Sequence, residues 1–238
     1  MTQTAIVTGA ASGLGHALAT LLVERGDRVV GIDLEGGDRR AKVEAVGATF
    51  VACDVTNLEQ WKAAAKAAHE ILGKFDLVFL NAGVMTRTPN QAIDDDPIAL
   101  AATDGYRRVF GVNVDGVIFG THVVAPLLAD GAAVTVTAST AALGPLPFDP
   151  YYAATKHAVA GFVRSVGPVF AARGHRVNAL CPGGIDTNIV PDPLRSSMPA
   201  STFRPASDVA RALIAVSETT GSGGLYTLTD NDAFIAPA

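Results

Sequence analysis

The 238-residue chain is poor in cysteine, histidine, aromatics and positive charge, and each shortage closes off a class of function. Its two cysteines, Cys53 and Cys181, each end an apolar run, which reads as two buried free thiols in a reducing compartment. Five histidines show no ligand spacing, so no metal site is expected. Lys and Arg number 18 against 23 Asp and Glu, and a net charge of −5 offers no footprint for nucleic acid or an anionic membrane. Long hydrophobic runs are missing as well. The apolar stretches are broken by Gly, Pro or charge, and none approaches a membrane-spanning length. Met1 leads through a polar residue into a strand without a secretory signal, so the expected location is cytoplasmic.

What is present is apolar content, 49%, in short runs that alternate with helical spacing. Strands are predicted at Thr4–Thr8, Arg28–Asp33, Thr49–Asp54, Phe75–Asn81, Ala132–Ser139, His175–Cys181 and Gly224–Thr229. Helices are predicted at Gly13–Arg25, Asp38–Val46, Asn57–Gly73, Gly105–Asp130, Tyr151–Ala172 and Ser207–Ser217. Asn57 and Gln60 form a capping-box pattern, Ser207 is the expected cap of the last helix, and Pro168 should kink or shorten the helix that holds it. Val84–Asp104, with its run Asp94-Asp95-Asp96, reads as a loop holding a short helical turn. Residues 187–204, rich in proline, read as a substrate loop or lid. Strand–helix–strand order repeated to the end means an α/β, doubly wound parallel sheet in one domain spanning 1–238.

Three local patterns carry chemistry. Between the first strand and first helix, Thr8-Gly9-Ala10-Ala11-Ser12-Gly13-Leu14-Gly15 permits a tight turn and close approach of a pyrophosphate to a helix N-terminus. Asp33 ends the second strand, where a carboxylate accepts from ribose hydroxyls and repels a 2′-phosphate. No Arg or Lys lies in the glycine turn or directly after Asp33, so NAD is expected over NADP; Arg39 and Arg40 read as helix-end or solvated residues. Asp54 and Asn81-Ala82-Gly83 follow the third and fourth strands, at the sheet edge where ligands bind. Asp54 could accept from an adenine amino group, and Asn81 combines a turn role with a site role. Finally, Tyr152 and Lys156 are four apart, on one helical face, where an ammonium would draw the phenol pKa down from about 10.

Taken together and in this order, these residues resemble the short-chain dehydrogenase/reductase family in its single-domain form, over nearly the whole chain. The parts that match are Thr8-Gly9-x-x-x-Gly13-x-Gly15, Asp54-Val55, Asn81-Ala82-Gly83, Asn113, Ser139, Tyr152-x-x-x-Lys156 and Pro182-Gly183-x-x-x-Thr187. The resemblance implies a Rossmann-type, seven-stranded parallel sheet of order 3-2-1-4-5-6-7 and hydride transfer to or from a nicotinamide. It implies Tyr152 as general acid/base, with Lys156 lowering its pKa and reaching the nicotinamide ribose. Ser139 would position the substrate oxygen, and Asn113 would hold a water of a proton relay. Lys156 is five residues from the adjacent Tyr151, off the shared face, which favours Tyr152.

Cofactor contacts are implied for Gly9, Ser12, Gly13, Leu14, Gly15, Asp33, Leu34, Asp54, Val55, Asn81, Ala82, Gly83, Pro182, Gly183, Ile185 and Thr187, besides Tyr152 and Lys156. The chain departs from the family in lacking a paired Asn before Ala82-Gly83, in Pro168, and in its ending Leu225-Tyr226-Thr227-Leu228-Thr229-Asp230.

Apolar residues such as Met85, Leu143, Phe148, Ile189, Leu194 and Phe203 are candidate pocket walls. Arg195 and Arg204 are the candidate cations, in a proline-rich loop. The expected substrate is a neutral, moderately apolar secondary alcohol or its ketone, and the expected assembly a homodimer or homotetramer. An NADPH-dependent carbonyl reductase and a dinucleotide-sensing protein without turnover are the alternatives.

Overall fold

Seven parallel strands make one sheet with neighbours in the order β3-β2-β1-β4-β5-β6-β9. They are β1 (Thr4–Thr8), β2 (Arg28–Asp33), β3 (Thr49–Ala52), β4 (Phe75–Leu80), β5 (Leu128–Thr137), β6 (Arg176–Leu180) and β9 (Leu225–Leu228). The order is the expected one. An antiparallel eighth strand, β10 (Phe234–Ile235), pairs with β9 beyond it. The structure, a computed structural model, describes residues 2–91, 96–228 and the backbone of 234–235. Asp94, Asp95, Thr229 and Asp230, used in the sequence reading, lie outside the described residues.

Side chains alternate between the two faces of each strand, and the two cores follow from that. Ile6, Val30, Val78 and Val134 face one layer, with Trp61, Val117 and Val159 from α3 (Leu58–Leu72), α5 (Gly116–Val124) and α6 (Pro150–Ala171). Ala5, Val7, Leu77 and Phe79 face the other, with Leu18 and Leu22 of α1 (Gly13–Glu24), Val43 of α2 (Arg39–Ala45) and Leu213 of α8 (Ala206–Ser217). Leu18, Leu22 and Leu213 are wholly buried, so truncating any one to Ala would cost about 2–5 kcal/mol. Sheet order reverses between β1 and β4, which opens a crevice at their carboxyl ends.

Several local expectations are corrected. The helix predicted over Gly105–Asp130 runs as α4 (Asp104–Phe110), a π-helical turn (Gly111–Asp115), α5 and a closing 3-10 turn (Ala125–Leu127). It stops early because Leu128 already pairs with Phe75, with a register irregularity before Leu77 and Gly131 at φ 75°. This 24-residue stretch, Asp104–Leu127, is long and apolar enough to cross a membrane by length and composition, although no unbroken run in the sequence is. It packs on α3 and α6, with Val109, Val117 and Val124 buried.

Pro168 neither ends nor shortens α6, which continues to Ala171; the proline falls in its last turn and costs few helical bonds there. Asn57 caps α3 by accepting from the N–H groups of Glu59 and Gln60, but Gln60 Oε1 accepts from Asp54 N–H rather than completing the box on Asn57. Pro205, not Ser207, occupies the N-cap of α8. The 187–204 segment is not all loop. It holds α7 (Asp192–Ser197), and Phe203–Arg204 forms β8, pairing with β7 (Gly184–Ile185).

Candidate active site

The crevice is built from close backbone contacts that only glycine permits. Gly9 has φ 69°, and a Cβ there would stand 3.1 Å from Ala82 Cα across the β1–β4 gap. At Gly15 a Cβ would meet Gly9 O at 2.1 Å. Ser12 occupies the N-cap of α1 with no side-chain cap bond, and no acidic residue sits in the helix's first turn. Such a cradle, with helix N–H groups at its floor, fits the pyrophosphate of a dinucleotide. Asn81 holds its rim. Its side chain donates to Thr8 O and accepts from Thr137 Oγ1, while Thr8 Oγ1 accepts from the N–H groups of Asn81 and Ala82. The turn role expected of Asn81 is thus filled by a cross-link of β1, β4 and β5.

At the adenosine end, Asp33 accepts from Ala11 N–H and Leu34 N–H, and the Leu34 side chain is exposed beside it. Arg39 is not merely a helix-end residue: its Nε lies 3.5 Å from Asp33 Oδ1. Asp54 Oδ1 accepts from Thr56 N–H and Oγ1. Val55 is buried and packs on Gly116.

At the other end, Ser139 lies two residues past β5 and caps a short 3-10 turn. Its Oγ accepts from Ala141 N–H, which leaves the hydroxyl proton for the hydrogen bond to Tyr152. Lys156 is buried and its Nζ donates to Thr137 O at 2.8 Å. The ammonium lies 5.5 Å from the centre of the Tyr152 ring. Burial pushes the phenol up to about 12, against the Ser139 hydrogen bond, and the charge of Asp149 raises it further. Lys156 does not offset that rise; burial instead draws its own ammonium down to about 8. The expected lowering of the phenol by the lysine is therefore corrected: in the protein alone, desolvation wins. Tyr151 is turned elsewhere, its hydroxyl donating to Ile98 O and its ring against Tyr106.

Asn113 sits in the π-helical turn, where Gly116 N–H donates five residues back to Gly111 O. Its side chain does not reach Lys156. It accepts from Val84 N–H and donates to Val84 O and Thr155 Oγ1.

A family model described as short chain dehydrogenase matches residues 3–195. The chain belongs to the short-chain dehydrogenase family. It is 36% identical over 195 residues to the 2-(R)-hydroxypropyl-CoM dehydrogenase of Xanthobacter autotrophicus, covering 79% of this chain and 76% of that one. Similarity to the cyclohexanol dehydrogenase of an Acinetobacter species is 32% over 195 residues, covering 79% and 75%. Among solved structures, a 3-ketoacyl-(acyl-carrier-protein) reductase of Brucella melitensis complexed with NADH superposes with a TM-score of 0.79 at 27% identity, over 95% of this chain and 96% of that one.

In this short-chain dehydrogenase, the 182–187 turn reaches back over the cradle. Pro182 O accepts from Thr140 N–H, so the turn is tied to the residue after Ser139. A Cβ on Gly13 would stand 3.1 Å from Thr187 Cγ2. Ile185 pairs with Arg204 in the β7–β8 strip. Arg195, weighed as a substrate cation, is a clamp within the 186–203 segment. Both terminal nitrogens bond Asp186 Oδ1, at 2.6 and 2.8 Å, one also reaches Thr187 O, and the guanidinium lies over the Phe203 ring. Of the apolar wall candidates, Met85 is buried, Leu143 is exposed, and Phe148, Ile189, Leu194 and Phe203 are half-buried.

Two placements in this dehydrogenase were not legible in the sequence. Asp149 is wholly buried beside Tyr152, and its only sequence signal is an acidic residue before Pro150, at a helix start. Cys181 is equally buried and faces Lys156, but a lone thiol ending a strand carries no such signal.

Proposed function

We propose that this oxidoreductase interconverts a neutral secondary alcohol and its ketone, with NAD as hydride carrier and Tyr152 as the acid and base. The observation that carries the reading is the convergence of Ser139, Tyr152 and Lys156 at the carboxyl edge of the sheet, beside a glycine cradle shaped for a dinucleotide. The bound nicotinamide supplies the hydride chemistry. In oxidation, Tyr152 takes the alcohol proton as its carbinol hydrogen leaves as hydride; in reduction, it returns a proton to the carbonyl oxygen. Ser139 orients that oxygen by hydrogen bonding. Lys156 presents an ammonium below pH 8 to the phenol and to the ribose expected above it. With the Asn113 amide taken up by Val84 and Thr155, a relay water would be held by main-chain carbonyls that the π-helical turn releases.

The cations support a neutral substrate: Arg195 is paired with Asp186, Arg204 is engaged as well, and Lys156 lies by the phenol. Cyclohexanol, named for one relative, has this chemistry. Two buried thiols suit a reducing cytoplasm. Ile118 on α5 and Val169 on α6 are exposed apolar residues and suit contact with a second copy in a homo-oligomer; nucleic acid and membrane are not proposed partners. One observation favours a second reading. Arg39 beside Asp33 supplies the cation that a 2′-phosphate needs, which would suit an NADPH-dependent carbonyl reductase.

The test is a panel of secondary alcohols with NAD or NADP, read as absorbance of the reduced cofactor. Tyr152→Phe should abolish turnover while NADH still binds. Because oxidation uses the phenolate, its rate should climb with pH. Full turnover in Tyr152→Phe would overturn the role of Tyr152, and tighter NADPH than NADH would overturn the choice of NAD.

A further inference from the structure

We infer that Asp149 is a positioning residue for the Tyr152 chemistry: one buried carboxylate ties the catalytic helix to the segment after β4 and puts a fixed negative charge beside the phenol. This rests on the reading of Tyr152 as acid and base.

Asp149 is 0% exposed, and each of its polar groups is used. As the N-cap of α6, with Pro150 at the first helical position, it accepts from Tyr152 N–H through Oδ1 at 3.1 Å. Its carbonyl accepts from Ala153 N–H and its N–H donates to Leu146 O. Capping needs one oxygen, which Ser or Asn supplies as well. The second oxygen does something else. Oδ2 accepts from Thr86 N–H at 2.9 Å, far away in sequence.

The Thr86 segment is gripped along its length. The Asn113 amide binds Val84 N–H and Val84 O, and Arg108 Nη2 donates to Met85 O and Thr86 O. Asp149 adds Thr86 N–H. The same network returns to the tyrosine, because Asn113 donates to Thr155 Oγ1, which donates to Tyr152 O. Tyr152 is thus held at its N–H by Asp149 and at its carbonyl by Thr155. The main chain that carries the phenol is thereby fixed at both of its polar groups.

The charge matters as well as the geometry. Around the phenol stand Lys156 on its own helix and Ser139 two residues past β5, and Cys181, just past β6, stands by Lys156. Around Asp149 stand Arg87, whose Nε donates to Phe148 O, and Arg108 on the Thr86 carbonyl. His157 bonds Ala153 O one turn on. The Asp149 charge opposes ionisation of Tyr152, so it holds the phenol in the form that donates a proton to a ketone.

Asp149→Asn and Asp149→Ser keep a competent cap and remove the charge. The test measures kcat/KM for oxidation and reduction against pH, with melting temperatures and Tyr152→Phe alongside. In both variants the rising limb of oxidation should move to lower pH by about half to one unit, and reduction at pH 7 should fall several-fold. A loss uniform across pH would overturn the inference, because a cap alone predicts that result. Hydrogen exchange on the unsubstituted protein is a second arm, independent of variant folding. Thr86 and Tyr152 amides should exchange slowly and at matched rates, and fast exchange at either would overturn the tie. Turnover retained in Tyr152→Phe would overturn the underlying reading. A dead Tyr152→Phe with an unshifted Asp149→Asn profile would overturn this inference alone.

Discussion

Lys156 Nζ donates to the carbonyl oxygen of Thr137 at 2.8 Å, from a side chain that is 3% exposed. The ammonium is held in place by a neutral acceptor and is poorly hydrated, which is why burial draws it from 10.5 down to about 8. Stability should record this. Between pH 8 and 10.5 the unfolded chain binds more protons at this group than the folded protein does, so stability rises with pH across that window. The full difference is about 3 kcal/mol. Urea unfolding at pH 7.5 and pH 9.5 should show the unsubstituted protein gaining stability relative to Lys156→Met. Equal pH slopes in the two proteins would assign the effect to another group.

Gly15→Ala places a methyl 2.1 Å from Gly9 O and 2.7 Å from Asn81 Nδ2, so the cradle must open. We expect NADH affinity to fall at least tenfold, with a stability loss of about 1–3 kcal/mol from overpacking. Gly161 is the control. It lies on α6 with nothing within 4 Å of an added Cβ, and alanine there should stabilise by about 0.5–1 kcal/mol. Fluorescence titration with NADH and thermal melting separate the two outcomes.

Arg195 joins Asp186, Thr187 and Phe203, which makes it the clasp of the 186–203 segment. The pair is partly solvated, so its contribution to global stability is small. Arg195→Ala should therefore leave the melting temperature nearly unchanged and raise KM for cofactor and substrate several-fold. Steady-state kinetics beside a melting curve checks this, and a large drop in melting temperature with unchanged KM would show that the clasp serves the fold instead.

Asp33 and Arg39 form an opposed pair where the adenosine ribose is expected. Asp33→Ser removes the charge that repels a 2′-phosphate and leaves Arg39 free to meet it. The ratio of kcat/KM for NAD over NADP should fall at least tenfold, and adding Arg39→Ala should reverse much of that fall. A ratio unmoved by Asp33→Ser would place ribose recognition elsewhere.

Elements whose signal is local were legible. The glycine turn, the strands Thr4–Thr8 and Arg28–Asp33 and the Asn57 cap follow from neighbours a few residues apart. Elements decided by distant partners were not. The start of β5 depends on Leu128 meeting Phe75, and Gln60 found Asp54 N–H instead of its helical partner. β8 exists because Phe203 and Arg204 lie beside Gly184 and Ile185. The candidate site divides the same way. Its residue types and order could be read from the chain, whereas the uses of Arg195, Arg39, Asn113 and Asp149 could not, because each binds a group from another element.

The doubly wound fold, the glycine cradle and the shared helical face of Tyr152 and Lys156 were written in the chain alone. Those follow from periodicity, from backbone angles that glycine alone tolerates and from the 3.6-residue turn that puts Tyr152 and Lys156 on one face. The electrostatics depend on groups that folding alone brings together. Whether Lys156 lowers the phenol of Tyr152 depends on water, on Thr137 O and on the charge of Asp149, none of which a spacing encodes. Proton affinity is set by everything within a few ångströms in space, and folding brings Thr137 of β5 against Lys156 of α6 and buries them together.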